Sequence, residues 1–218
     1  IQPFGQIYYC IFDLTKLFGC YQECIESINQ HPPTPEEIKT IDEAGVVQMI
    51  IGLANFLLIE AGNPNIDPLV EISLKIAYFF IKGGAVRVWS NIQGLIEIIN
   101  AYKDNKELLI CCSRILLLYP IEKYKIFGST EFLHIWSNAL NMENITVEEK
   151  SNIFKIIYYI LNIHRPLIDS LQDTNVFEIV LQTHTDDSFI LLSLLVMSDY
   201  FAKKSQLDEI VEWANTCI

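Results

Sequence analysis

The chain has 218 residues, 51% of them apolar, and a mean hydropathy of +0.28, which argues against disorder and allows one large domain or one short solenoid with a sizeable core. Fifteen Lys and Arg against 27 Asp and Glu give a net charge of −12 and a pI of about 4.7. Nucleic acid and anionic membrane surfaces are therefore poor direct partners, whereas a basic peptide or basic protein surface would be steered towards the chain.

No apolar run reaches the roughly 18 residues of a membrane span; the nearest, from Phe189 to Met197, is about half that. The chain begins at Ile1 with no basic, apolar and small-residue leader, so no signal peptide is expected and a piece of a longer or processed protein is. Taken in order, the first element is a helix over about 4–29. Ile7, Ile11, Leu14, Phe18, Tyr21, Ile25 and Ile28 alternate by four and three along it. A coiled-coil seam would share this pattern, but three heptads containing Gly19 favour a capping helix laid on the rest of the domain.

His31-Pro32-Pro33 ends that helix. Thr34-Pro35-Glu36-Glu37 restarts one, with Thr34 as N-cap, Pro35 in the first turn and Glu37 closing a capping box. Asp67-Pro68, Ser90 with Gln93, Thr146 with Glu149 and Ser205 with Asp208 read as further starts; Gly62-Asn63-Pro64, Gly83-Gly84, Tyr119-Pro120 and Arg165-Pro166 read as stops. Many helices of about 10–15 residues with short loops follow. Strands are the rival, but Leu95, Ile98, Ile99 and Tyr102, and Ile153, Ile156, Ile157 and Ile160, keep the helical spacing, and no Asn-Gly or Asp-Gly hairpin turn occurs.

Four segments share a polar lead-in followed by a helical apolar pattern: 42–51, 91–99, 128–136 and 173–181. Each precedes a more apolar helix, at about Pro68–Lys82, Lys106–Tyr119, Glu148–Ile163 and Ser188–Lys203. The offsets between Gly45, Gly94, Glu131 and Asn175 are 49, 37 and 44 residues, and their mean lies in the window of about 40–47 residues for repeats of two or three helices. One such unit cannot bury both faces of its helices, so stacking is expected.

The segment Glu43-Ala44-Gly45-Val46-Val47 is similar to the acidic-Ala-Gly-apolar lead into the second helix of armadillo repeats. Tyr159-Ile160-Leu161-Asn162-Ile163 resembles the apolar-Leu-x-Asn-Leu ending of their third. The chain thus resembles the armadillo and HEAT family over about residues 36–205. The expected fold is all-α: a long N-terminal capping helix at 1–31, a right-handed armadillo-like superhelix of about four repeats at 34–205, and a C-terminal capping helix at 206–218, where Trp213 would cover the last core layer.

The resemblance also implies a binding face, because third helices line the concave groove of armadillo proteins. Lys75, Tyr78, Arg114, Lys155, Tyr158, Tyr159, Asn162 and Tyr200 are the polar and aromatic candidates there. Receptors for nuclear-localisation peptides carry Trp-x-x-x-Asn pairs on those helices; here only Tyr158 with Asn162 has a comparable spacing, which speaks against nuclear import.

Catalytic and metal-binding patterns are not found. His31, His134, His164 and His184 are scattered. Gly83-Gly84 lacks the surroundings of a phosphate loop. Asp186-Asp187-Ser188 and Glu148-Glu149 read as helix starts with favourable charge. Trp89-Ser90-Asn91 and Trp136-Ser137-Asn138 repeat a tripeptide at different places in their repeats, so the match reads as coincidence. Cys10, Cys20, Cys24, Cys111, Cys112 and Cys217 match no zinc spacing and read as buried reduced thiols of a cytoplasmic protein. The expected function is a non-enzymatic interaction scaffold or regulatory domain without cofactor or metal, holding a protein partner. A structural subunit of a stable complex is the alternative and, by analogy with formin regulatory regions, so is a module that binds a small GTPase.

Overall fold

The computed structural model describes residues 14–61 and 63–204. Every regular element among them is an α-helix or a short 3-10 turn, and no strand occurs. The chain divides into two compact units at Leu118/Tyr119, beside the Tyr119-Pro120 stop. The proposed C-terminal cap at 206–218, Trp213, the Ser205–Asp208 start, Gly62, Cys10, Cys217 and residues 1–13 of the N-terminal helix lie outside the described residues.

In the first unit, α1 (Leu14–Gln30) ends at His31-Pro32-Pro33. Its buried face is Leu17, Tyr21, Cys24 and Ile28, laid on α4 (Asp67–Lys82). The stripe read from sequence is rotated slightly: Phe18 and Ile25 are only half-buried, because Leu17 and two small cysteines, Cys20 and Cys24, take the central positions. Burial pushes the Cys24 thiol up to about 12. The Tyr21 phenol is also pushed up to about 12 by burial. Cys20, Cys24, Cys111 and Cys112 are all buried and free of disulfides.

α2 (Pro35–Glu43) starts as the sequence dictates: Thr34 Oγ1 accepts the Glu37 N–H, and the Glu37 carboxylate accepts the Thr34 N–H at 2.9 Å. Gly45, with φ of +72°, turns the chain directly into α3 (Val46–Phe56). A side chain there would cost about 1–2 kcal/mol, so the Ala-Gly-apolar lead has a backbone cause. α3 packs on α4 and on the next pair of elements, a 3-10 turn at Arg87–Asn91 and α5 (Ile92–Ala101). α6 (Lys106–Leu116) then lies beside α4.

Each triplet of the first unit is thus a first element (α2 or the turn at Arg87–Asn91), a middle helix (α3 or α5) and a third helix (α4 or α6), and the second unit repeats this order twice. A 3-10 turn at Ile121–Phe127 leads to α7 (Thr130–Ala139) and α8 (Val147–Ile163), whose Thr146–Glu149 capping box forms as expected. A turn at Arg165–Leu171 leads to α9 (Val176–Thr183) and α10 (Asp186–Leu195), and α10 packs beside α8. A short α11 (Asp199–Lys204) follows. Gly45, Gly94, Glu131 and Asn175 all fall within three residues of the start of a middle helix.

The bonds that join successive triplets correspond as well. In the first unit Gln48 Nε2 on the middle helix donates to the Arg87 carbonyl of the next turn at 2.7 Å, and Asn55 reaches Glu97 on the next middle helix at 2.7 Å. In the second unit His134 Nε2 meets the Ser170 carbonyl of the next turn at 2.8 Å, and Asn141, just past the end of α7, bonds reciprocally with Asn175, the cap position of α9.

Three local expectations are corrected. Ser90 caps no helix: it lies inside a 3-10 turn, donates to the Arg87 carbonyl, and leaves Asn91 as the cap position without a side-chain bond. The N-cap of α10 is Thr185, whose capping box closes on Ser188, and Asp186 and Asp187 occupy its first turn. The helix expected over Ser188–Lys203 breaks after Leu195, where the Met197 and Ser198 amides bond back to Leu194 and Leu195 at 3-10 spacing. Ser198 then accepts the Tyr200 N–H at 3.3 Å and starts α11. Trp89 lies in a turn and Trp136 in a middle helix, so the repeated tripeptide occupies different elements.

Candidate functional site

The candidate residues fall into one group in each unit. In the first, Lys75 and Tyr78 lie on α4 and Arg114 on the neighbouring α6. Lys75 pairs with Glu71 one turn away at 2.5 Å, and that hydrogen bond raises the ammonium pKa. Arg114 is exposed and makes no ion pair or hydrogen bond among the described residues. It lies close enough to Lys75 for the two cations to repel. Both act on the Cys111 thiol, which burial raises, Glu71 raises further and the two cations lower. Glu71, Lys75, Cys111 and Arg114 thus share one face across the two third helices.

Tyr78 is half-buried, and Lys82 Nζ stands 5.9 Å from its ring centroid, a cation–π distance. Lys75, Tyr78 and Lys82 form the α4 side of a cleft of about 450 Å³, closed on its other side by Ile25, Ile28 and Asn29 of α1.

In the second unit Lys155, Tyr158 and Asn162 share one face of α8 by their spacing. Lys155 is engaged in stacking: Asp187 of α10 receives its ammonium at 3.2 Å and also the Ser151 hydroxyl. Tyr158 is half-buried against Tyr159, with ring centroids 5.8 Å apart. Asn162 is exposed and without a hydrogen bond among the described residues. An aromatic chain seats this face, running from Tyr159 to Tyr124 at 5.3 Å, to Phe127 at 5.1 Å, to Phe132 at 4.9 Å and to the fully buried Trp136 at 6.1 Å.

Tyr200 does not belong to this group. It lies on α11 beyond the helix break, with its hydroxyl directed at the Gln172 carbonyl at 3.4 Å and its ring edge-on to Phe201. Its assignment to a third helix is corrected by the interruption at 196–198. The continuous apolar sequence hid that break, and the Ser198-Asp199 pair was the one signal that marked it.

The histidines with known bonds serve structure. His134 joins α7 to the Ser170 carbonyl, and His164, closing α8, donates Nε2–H to the Lys125 carbonyl at 3.0 Å. Gly128 makes room for that imidazole, since a Cβ there would lie 2.4 Å from its Cε1. Among the described residues no three His, Cys, Asp or Glu converge to hold a metal, and no single helix is long and apolar enough to cross a membrane.

Sequence reading missed Asp42. It is a buried carboxylate near the end of α2 that accepts the Val86 and Arg87 amides, each at 3.1 Å, while Arg87 Nη1 donates to the Glu43 carbonyl at 2.9 Å. Its partners lie 44 and 45 residues away, beyond the reach of any local motif. Comparison with family models, curated proteins and solved structures finds no match to this chain.

Proposed function

We propose that the chain is a non-enzymatic, cytoplasmic scaffold whose four triplets are armadillo-like repeats continuing one right-handed superhelix, and that it holds a protein partner along the face of its third helices. The repeat reading draws on the recurring order of short turn, middle helix and third helix, and on the matching bonds of Gln48 and His134 to the next turn. The interaction reading is carried by one observation. In each unit third helices lie side by side with their polar faces exposed, and Arg114 and Asn162 on those faces have no internal partner among the described residues.

An exposed arginine and a Tyr–Asn pair one turn apart offer directed charge, a flat contact surface and an amide able to meet a peptide backbone. Tyr and Arg are the residue types that dominate binding hot spots. Tyr158→Ala or Asn162→Ala is expected to weaken a bound partner peptide by about 1–3 kcal/mol. Asn162→Ala, at an exposed position, is expected to change stability by no more than about 0.5 kcal/mol. Affinity and melting temperature of the two variants check this. Unchanged binding with a large loss of stability would assign these residues to the core.

A further inference from the structure

The cleft between α1 and α4 has a composition at odds with the chain as a whole. Acidic residues outnumber basic ones by 27 to 15, yet among the described residues its lining holds two lysines, Lys75 and Lys82, and no carboxylate, Glu71 reaching Lys75 from outside the lining. Its apolar lining comes from both helices, with Ile25 and Ile28 on one side and Ile76 and Phe79 on the other. A volume of about 450 Å³ lies within the range of about 300–1,000 Å³ typical of binding pockets. Ile25, which continues the apolar stripe of α1 but is left half-buried, is one of the residues facing this space.

We propose that this cleft receives an apolar side chain of a partner peptide whose flanking carboxylates meet Lys75 and Lys82. The proposal rests on the interaction reading above and names the chemistry of the partner.

Lys82 makes no ion pair among the described residues, and the Tyr78 ring holds its ammonium beside the cleft. Lys75 is paired with Glu71, but both side chains are partly exposed, and an exposed pair is worth only about 0–1 kcal/mol, so an incoming carboxylate can exchange with it. The two lysines are seven residues apart on α4, a rise of about 10 Å. Acidic residues four apart on an extended peptide share one face about 13 Å apart, within reach of two flexible lysine side chains, and the residue midway between them points the same way, into the cleft. A single fatty carboxylate would meet Lys82 and leave Lys75 on Glu71, using one of the two cations. A basic peptide, which the net charge of the chain would steer inwards from a distance, meets the uncompensated Lys82 ammonium at contact.

The test is selection from a displayed random-peptide library on the whole chain, followed by affinity measurement of the best synthetic peptide. Enriched peptides should place Asp or Glu on both sides of Phe, Leu or Trp. Lys82→Glu and Lys75→Glu should each weaken binding about tenfold or more, with folding intact by circular dichroism, while Lys103→Glu on the α5–α6 turn should leave it unchanged. Basic enriched peptides, or acidic ones indifferent to both lysine reversals, would overturn the cleft proposal. If such peptides still lose affinity on Asn162→Ala, the third-helix reading survives that failure. Binding of decanoate that depends on Lys82, with no peptide binding there, would replace the peptide by an acyl carboxylate and overturn the proposal. No selectable peptide at all would overturn both readings.

Discussion

Replacing Trp136 with alanine should destabilise the second unit by about 3–5 kcal/mol, the usual cost of emptying a buried aromatic site. Trp136 is fully buried on the middle helix α7 and meets Phe132 at 6.1 Å with ring planes at 72°. Phe132 in turn stacks on Phe127 at 4.9 Å, so the indole ends the aromatic chain that runs through Tyr124 and Tyr159 towards Tyr158. Dispersion and area burial both fall when the ring is removed, and close-packed neighbours refill the space only in part. Chemical denaturation of Trp136→Ala and Trp136→Phe checks this. The phenylalanine variant should recover a large part of the loss. A deficit below about 1 kcal/mol for alanine would contradict the packing described.

Asp42→Ala should cost the first unit about 2–3 kcal/mol, because hydrogen bonds to a charged group contribute more than neutral ones and two backbone amides lose their acceptor together. Asp42 Oδ1 accepts from Arg87 and Oδ2 from Val86, which ties the end of α2 to the start of the next triplet. Asp42→Asn keeps one carbonyl acceptor but turns an N–H towards an N–H, so it should fall between wild type and alanine. Equal stability of all three forms in denaturant titrations would show that Val86 and Arg87 find water instead.

These two residues also show what could be read from sequence. Helix starts written locally were legible: Thr34 with Glu37 and Thr146 with Glu149 form their boxes because cap, first turn and third residue are contiguous. Gly45 entered through its likeness to the armadillo lead, and the φ of +72° in the tight turn between two helices is the backbone reason that the sequence reading did not state. Ser90 with Gln93 carried the same spacing and class of residues and failed, because residues 87–91 wind as a 3-10 turn held by Asp42 and Gln48 from the preceding triplet. The break after Leu195 was hidden in an apolar run without Gly or Pro. The candidate groups share this limit. Spacing alone put Tyr158 and Asn162 on one face. The capture of Lys155 by Asp187, the cleft beside Tyr78 and the role of Asp42 all depend on residues distant in sequence.

Site-specific photocross-linking of a selected peptide, with a photoreactive residue placed in turn at exposed positions of third and middle helices, tests most directly whether the third helices hold the partner. The reading predicts peptide adducts from Arg114 on α6 and Asn162 on α8, and none from Gln93 on α5 or Asn138 on α7. Adducts confined to Gln93 and Asn138 would contradict it and move the partner to the middle-helix face.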